Sequence, residues 1–196
     1  MPTEQQQQPQ SPQARVQGMA QRIARPLQQY TQTVNNWNGT IEFQPSPGSA
    51  GTKEWTCSIS IDPGILNNPP ELWPILNHEM LHALSTGLTP QAYVDFRGWE
   101  EGVVEMLQRI YGPKALQQIG EQPYVGSWAY NHYIAELESL RIFLKRSARS
   151  YYLKLIRTPL ADREQTAIMM GSRFTGAKQQ QWQQLLTTAL PVLRGP

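Results

Sequence analysis

The stretch Asn77–Ser85, NHEMLHALS, contains two histidines four residues apart, with a glutamate directly after the first. On an α-helix, residues i and i+4 differ by about 40° in direction, so His78 and His82 project from one face on successive turns. Two imidazoles placed in this way can bind one Zn²⁺ ion. Glu79 lies beside them, where its carboxylate can act on a water without occupying a coordination position.

A catalytic zinc site needs a third protein ligand, and the segment GWEEGVVEM supplies the candidates. Adjacent helical residues point about 100° apart, so only one of Glu100 and Glu101 can face the histidines. Glu101 is favoured because it shares a helix face with Glu105. Glu105, one turn further on, can accept a hydrogen bond from the second ring nitrogen of a ligating histidine.

The pair HEMLH and WEEGVVE resembles the gluzincin metallopeptidases, in which HExxH is followed after a variable spacer by a glutamate on a later helix. The resemblance implies that His78, His82 and Glu101 bind zinc and that Glu79 is the general base. The spacer of eighteen residues between His82 and Glu101, and the glycine after Glu101, are similar to the aminopeptidase branch of that family. The resemblance to the family covers roughly residues 59–111.

Two departures from the aminopeptidase branch limit what the resemblance implies. The chain lacks that branch's Gly-Ala-Met-Glu-Asn type segment before HExxH, so an aminopeptidase specificity is not expected. It also lacks the large additional domains. The expectation is therefore a minimal, single-domain gluzincin.

A donor for the developing oxyanion commonly assists such a metal. The stretch SWAYNHYIAELE offers Tyr130, His132 and Tyr133, and we list Tyr130 and His132 as candidate catalytic residues. The alternative for each aromatic is core packing. The histidine pair has the same alternative, because apolar residues surround it in the sequence: Leu76, Met80, Leu81 and Leu84.

The order of the predicted elements, a helix, a short sheet and then further helices, predicts an α+β fold in which a small N-terminal sheet packs on a mostly helical body. Residues 1–13 are rich in Gln and Pro and are predicted to be a disordered tail, with one zincin-like domain over residues 14–196. Strands are expected at 39–44 and 54–61, joined by a turn-forming linker. In zincins an edge strand pairs with the substrate. If the strand before the HExxH helix is that edge, residues 56–60 would contact an extended peptide, but the sequence leaves open which strand lies at the edge.

Helices are predicted from the spacing of apolar residues and from Gly and Pro signals. A first helix, bent or interrupted near Pro26, precedes the sheet, and the metal helix is capped at Asn68 and ends at Gly87. A loop follows. Gly112 and Pro113 are expected to end the Glu101 helix. The predicted helices are 14–37, 71–86, 99–111, 113–119, 128–153, 160–170 and 177–193.

Composition narrows the classes of function. The net charge of +2 is too small to indicate a nucleic-acid partner. Basic residues cluster between Arg141 and Lys178, and a solvated helix surface is favoured there over an anionic partner. The single cysteine, Cys57, excludes an internal disulfide and a Cys-rich zinc module, and is predicted to be a small core residue. The sequence has neither a Sec signal nor a membrane-spanning run, so a soluble protein is expected, cytoplasmic or exported by another route.

Together these features predict a zinc-dependent metallopeptidase that acts on a peptide or protein substrate. The alternative is a zincin-like domain that serves as a catalytically silent or narrowly specific binding or effector module. Oligomeric state and cleavage preference are left open by the sequence.

Overall fold

The computed structural model describes residues 11–45, 51–124 and 129–194. Residues 1–10 of the predicted tail lie outside these ranges, whereas Pro12 and Gln13 already belong to a helix. The helices of the described part are α1 (Pro12–Thr31), α2 (Pro69–Ala83), α3 (Pro90–Asp95), α4 (Arg97–Gln118), α5 (Asn131–Phe143), α6 (Ala148–Arg157), α7 (Arg163–Met170) and α8 (Gly176–Arg194). Short 3₁₀ turns at Pro63–Ile65 and Leu160–Asp162 precede α2 and α7.

The sheet has three short strands, β1 (Ile41–Phe43), β2 (Gly51–Lys53) and β3 (Ile59–Ile61), in the order β1-β3-β2. β3 pairs in parallel with β1 and antiparallel with β2, so among the described residues β2 is an edge strand. The sequence left open which strand lies at the edge, and residues 59 and 60 of the candidate stretch 56–60 belong to the central strand. β3 is central, and β2 falls where the sequence indicated the end of a linker.

The predicted strand over residues 54–61 is correct only for its last three residues. Residues 54–58 form a turn in which Cys57 donates its N–H to Glu54 and the N–H of Glu54 bonds to Ser58. Cys57 has a φ of 67° and is half-buried, so its assignment to the core is wrong. The turn brings the exposed Trp55 to the side of the sheet where α2 lies.

Several predicted helix ends differ from the structure. α1 continues through Pro26 and ends at Thr31, where Gln32 takes a left-handed conformation. Residues 90–95, predicted as a loop, form α3, whose N-cap Thr89 accepts a hydrogen bond from Ala92 N ahead of a proline at the first helical position. α2, predicted over residues 71–86, starts at Pro69 and ends at Ala83, and the Asn68 side chain bonds to Glu71 instead of capping the backbone.

α4 does not end at Gly112 and Pro113 but runs through both to Gln118. Gly112 lies against α2, where an added Cβ would approach the Asn77 amide to 3.2 Å, so packing stabilises the helix across the proline. The single helix predicted for residues 128–153 is two helices, α5 and α6. Lys145 between them has a left-handed φ of 53°, and Ser147 caps α6 through Ser150 N.

α4 is the central helix, packing against α1, α2, α5, α6 and α8. The contacting side chains belong to one hydrophobic cluster that extends from Val16 to Leu193 and includes the fully buried Trp73, Trp99 and Trp182. The coarse prediction of a mixed α+β fold, mostly helical with a small sheet, is confirmed. No helix in the described ranges is long and apolar enough to cross a membrane.

Gly98, in the first turn of α4, is required by the close approach of α8. A Cβ at this position would lie 2.8 Å from the backbone of Leu193 and 2.8 Å from the Tyr133 ring. We expect Gly98→Ala to lower the free energy of unfolding by about 1–3 kcal/mol, because backbone atoms cannot move aside cheaply. Urea denaturation of the two proteins measures this change.

Gly18→Ala in α1 is the matched control for that substitution. No atom lies within 4 Å of an added Cβ there, so the better helix propensity of alanine should raise stability by up to about 1 kcal/mol. Equal stability changes in the two variants would contradict the packing account of Gly98.

Candidate metal centre

The side chains of His78, His82 and Glu101 converge on one point between α2 and α4. His78 Nε2 lies 3.1 Å from His82 Nε2 and 3.2 Å from Glu101 Oε2, and His82 Nε2 lies 3.4 Å from the same carboxylate oxygen. All three side chains are at least mostly buried. The i,i+4 spacing on α2 and the packing of α4 against α2 thus bring together the three residues that the sequence singled out.

The second nitrogen of each histidine faces a different acceptor. His78 Nδ1 lies 3.1 Å from Gln108 Oε1 and 3.3 Å from Glu105 Oε2. The Gln108 amide is oriented by donating from Nε2 to the carbonyl of Pro74 at 2.8 Å, so its oxygen faces the ring. His82 Nδ1 lies 2.8 Å from Glu100 Oε1. Glu105 is thus where the sequence placed it, beside His78.

One arrangement of the protons in the neutral rings fits these contacts and a metal ion together. With a proton on each Nδ1, that nitrogen donates to the carboxylate or amide oxygen beside it, and each Nε2 presents a lone pair. Two lone pairs and a carboxylate oxygen of Glu101 then point at one another at close range. Such an arrangement is stable only with a positive charge between them, and a divalent cation meets that requirement. The three residues fit a metal ion.

The electrostatics of the cluster favour positive charge on the histidines and negative charge on Glu101. Burial lowers the pKa of His78, but hydrogen bonds with Glu101 and Glu105 outweigh it and raise the pKa to about 9. Burial likewise opposes the charged form of His82, and the charges of Glu101 and Glu100 raise its pKa well above the usual value. The Glu101 carboxyl has a pKa well below its usual range, because the two histidines outweigh its burial.

Glu100 does not face the point where His78, His82 and Glu101 converge. It connects His82 to a buried arginine. Its Oε1 accepts from His82, and its Oε2 accepts from Ser85 Oγ at 2.8 Å and from Arg163 Nη1 at 2.7 Å. Arg163 also donates to Ser85 and to the carbonyls of Trp99 and Thr158. Arg163 was expected on a solvated basic face, and that expectation is wrong because its side chain is fully buried.

The Glu100–Arg163 ion pair is 0% exposed at both side chains, so neither charge can be solvated alone. We expect Arg163→Met to lower the free energy of unfolding by about 3–5 kcal/mol, because it leaves the Glu100 carboxylate buried without its cation. Denaturation of the protein in EDTA measures the loss without any contribution from metal. Arg194→Met, which removes an exposed arginine paired with Glu164, should change stability little, and a loss of equal size there would contradict this account.

The cluster opens into a cleft of about 340 Å³ between the sheet and the helices. One wall is β2 with the turn that follows it, the floor is the His78–His82 face of α2, and the other wall comes from α3, the start of α4 and Tyr130. Glu79 also lines the cleft, and its Oε2 accepts a hydrogen bond from the backbone N–H of Lys53 at 2.6 Å. This bond ties the carboxylate to the edge strand.

Two tyrosines, one from α3 and one from the start of α5, contact the cluster of His78, His82 and Glu101. The Tyr93 phenol donates to Glu101 Oε1, and the Tyr130 ring stacks on His78 with centroids 5.6 Å apart. Burial raises the pKa of both phenols, so both remain neutral hydrogen-bond donors. Tyr130 is therefore at the cleft, as the sequence suggested.

His132 is not brought to the cleft. Its ring contacts Tyr133 at a centroid distance of 3.8 Å, on the exposed surface of α5, and it does not line the space around the histidine pair. Tyr133 itself is a buried packing residue. Position 132 faces away because α5 begins only at Asn131, and the helix turns this side chain outward while Tyr133 packs inward.

Four residues at or behind the centre were not identified from the sequence: Tyr93, Gln108, Arg97 and Arg163. Gln108 lies about two turns beyond Glu101 on α4 and three residues after Glu105, so its helical phase is a signal that could have placed it near Glu105. Tyr93 lies on a helix that was predicted to be a loop. Arg163 reaches Glu100 across 63 sequence positions, a contact for which no local pattern exists.

The chain was compared with protein-family models, with curated proteins and with solved structures. None of the three comparisons found a match. The evidence for function is therefore the geometry of the cleft and of the His78, His82 and Glu101 cluster.

Proposed function

We propose that this chain is a zinc-dependent peptidase of the gluzincin type with a zincin-like fold. The observation that carries the proposal is the convergence of His78 Nε2, His82 Nε2 and Glu101 Oε2 at the floor of an open cleft, with Glu79 beside them. A structural zinc site is closed by four protein ligands, whereas three ligands facing a cleft leave a position for water or substrate.

The donor set supports zinc over other ions. Two imidazole nitrogens and one carboxylate oxygen suit Zn²⁺, while Mg²⁺ and Ca²⁺ prefer sites built from oxygen alone. Glu105 and Gln108 orient His78, and Glu100 orients His82, which is the outer hydrogen bonding that metal-ligating histidines need. A zinc ion bound there would supply a Lewis acid that polarises the scissile carbonyl and lowers the pKa of a water.

Glu79 is the general base and acid of the proposed reaction. Its carboxylate takes a proton from the attacking water and delivers it to the leaving amine. The Lys53 N–H holds one carboxylate oxygen at 2.6 Å, which fixes the orientation of the group and leaves the second oxygen to exchange the proton. Tyr130 is the candidate donor to the developing oxyanion, since it is neutral, stacked on His78 and exposed to the cleft.

The substrate class follows from the wall of the cleft formed by β2. An extended peptide can add to the edge strand of a sheet as a further strand. β2 lines the same cleft as the histidines, so a peptide bound along it passes over the cluster. This geometry favours a peptide or protein substrate.

The test is a search for new peptide termini. The full-length protein with one equivalent of zinc is incubated with a mixture of intact, unfolded proteins, and the products are identified by mass spectrometry. New termini that disappear with EDTA support the proposal. Zinc bound without any new terminus contradicts a general peptidase and supports the alternative of a silent or narrowly specific zincin-like module.

A further inference from the structure

Two cationic side chains flank the mouth of the cleft, each resting on an aromatic ring. Lys53 Nζ lies 5.3 Å from the centre of the Trp55 ring, and the Arg97 guanidinium carbon lies 5.9 Å from the centre of the Tyr93 ring. The two rings meet edge to face at 5.8 Å, which joins the turn after β2 to α3. All four residues line the cleft.

Arg97 differs from the arginines of the described ranges that form ion pairs, and from Arg15 and Arg157, which donate to backbone carbonyls. Arg22, Arg109, Arg141, Arg163 and Arg194 each pair with a glutamate. Within those ranges Arg97 has no carboxylate within ion-pair distance. Its guanidinium rests on the Tyr93 ring, and it lines the cleft together with Tyr130. Aromatic faces orient a guanidinium without using up its in-plane N–H groups, so Arg97 is preorganised to receive an acceptor.

The acceptor that matches a planar guanidinium in two hydrogen bonds is a carboxylate. Two of the three glutamates of the cleft do not fill this role, because Glu101 is turned to the histidines and Tyr93, and Glu79 is bonded to Lys53 N. The third, Glu54, forms no ion pair with Arg97. Lys53, on the opposite wall, adds positive charge where a peptide would lie along β2.

We propose that the cleft selects peptides that carry a carboxylate close to the scissile bond, and that Arg97 binds this carboxylate. The inference rests on the proposed function, which makes the cleft a site for peptides, although the binding step itself does not require zinc. The carboxylate has two possible sources with the same chemistry, an acidic side chain and a free peptide C-terminus. Arg97 is then the residue that determines specificity, with Tyr93 and Tyr130 positioning its guanidinium.

The experiment measures binding without turnover. The full-length protein in EDTA is titrated into four pentapeptides of alanine that carry an uncharged BODIPY dye and differ in two respects. The central residue is Glu or Gln, and the C-terminus is a free acid or an amide. Fluorescence anisotropy gives each Kd. We expect the peptides with a carboxylate to bind about fivefold or more tightly than the uncharged Gln amide.

The variant Arg97→Gln should abolish this preference, while Arg173→Gln, which removes an exposed arginine from the turn after α7, should preserve it. A preference confined to the Glu peptides assigns the site to acidic side chains, and one confined to the free acids assigns it to C-termini. Equal affinity for all four peptides, no binding, or a preference that survives Arg97→Gln would overturn the proposal. A failure of zinc binding or of cleavage leaves this readout unchanged, so the two proposals fail separately.

Discussion

Replacing Glu79 by Gln is expected to reduce peptide cleavage by about 1000-fold while zinc remains bound. The substitution keeps the size of the side chain but removes the carboxylate that exchanges the proton, and general acid–base groups typically contribute 10²- to 10⁴-fold. Glu79 is not one of the three converging donors, so the ligand set of His78, His82 and Glu101 stays complete. The measurement is kcat/KM on a cleaved peptide, together with zinc content.

The control for this variant is Glu54→Gln, which changes a glutamate on the wall of the same cleft. It should leave kcat/KM within a few-fold of wild type. Cleavage by Glu79→Gln at the wild-type rate would show that another group moves the proton and would remove the mechanism proposed for Glu79. Loss of zinc from Glu79→Gln would mean that this residue is a ligand and not a base.

The second large effect is expected from Glu101→Ala, which should weaken zinc binding by more than about 100-fold. Removing a group that only hydrogen-bonds to a metal ligand costs 10- to 100-fold, and loss of a direct ligand exceeds this. The variant also removes the negative charge that lies 3.2 Å and 3.4 Å from the two histidine Nε2 atoms. Competition titration with a chromophoric zinc chelator gives the affinities.

Glu54→Ala is the matched control, because it removes a carboxylate from the same cleft without touching the histidines. It should bind zinc as wild type does. Glu100→Gln is informative in addition. Glu100 accepts from His82 Nδ1 and lies outside the point of convergence, so zinc should be weakened by less than in Glu101→Ala. A larger loss with Glu100→Gln than with Glu101→Ala would mean that the wrong glutamate has been assigned as ligand.

The direct neighbours of the cluster could be predicted because they follow from helical geometry. The i,i+4 spacing placed His78 and His82 on one face, and the same periodicity placed Glu101 and Glu105 together on α4. The role of Glu100 could not be predicted in this way. It depends on where α7 places Arg163, and a contact across 63 positions leaves no periodic trace in a single sequence.

The fold departs from the sequence pattern where tertiary packing overrides local signals. Pro113 normally ends a helix, but α4 is the centre of the hydrophobic cluster and continues through it. β2 has only three residues, Gly51–Lys53, which is too short for an alternating pattern to be recognised. Its position at the sheet edge, beside Glu79, depends on the turn at residues 54–58.

The most direct test of the central claim is zinc K-edge X-ray absorption on the full-length protein loaded with one equivalent of zinc. The account predicts one bound zinc with a shell of nitrogen and oxygen at about 2.0–2.1 Å, scattering from two imidazoles, and no sulfur. Zinc that does not bind, or a sulfur neighbour at about 2.3 Å from Cys57, would contradict a centre formed by His78, His82 and Glu101.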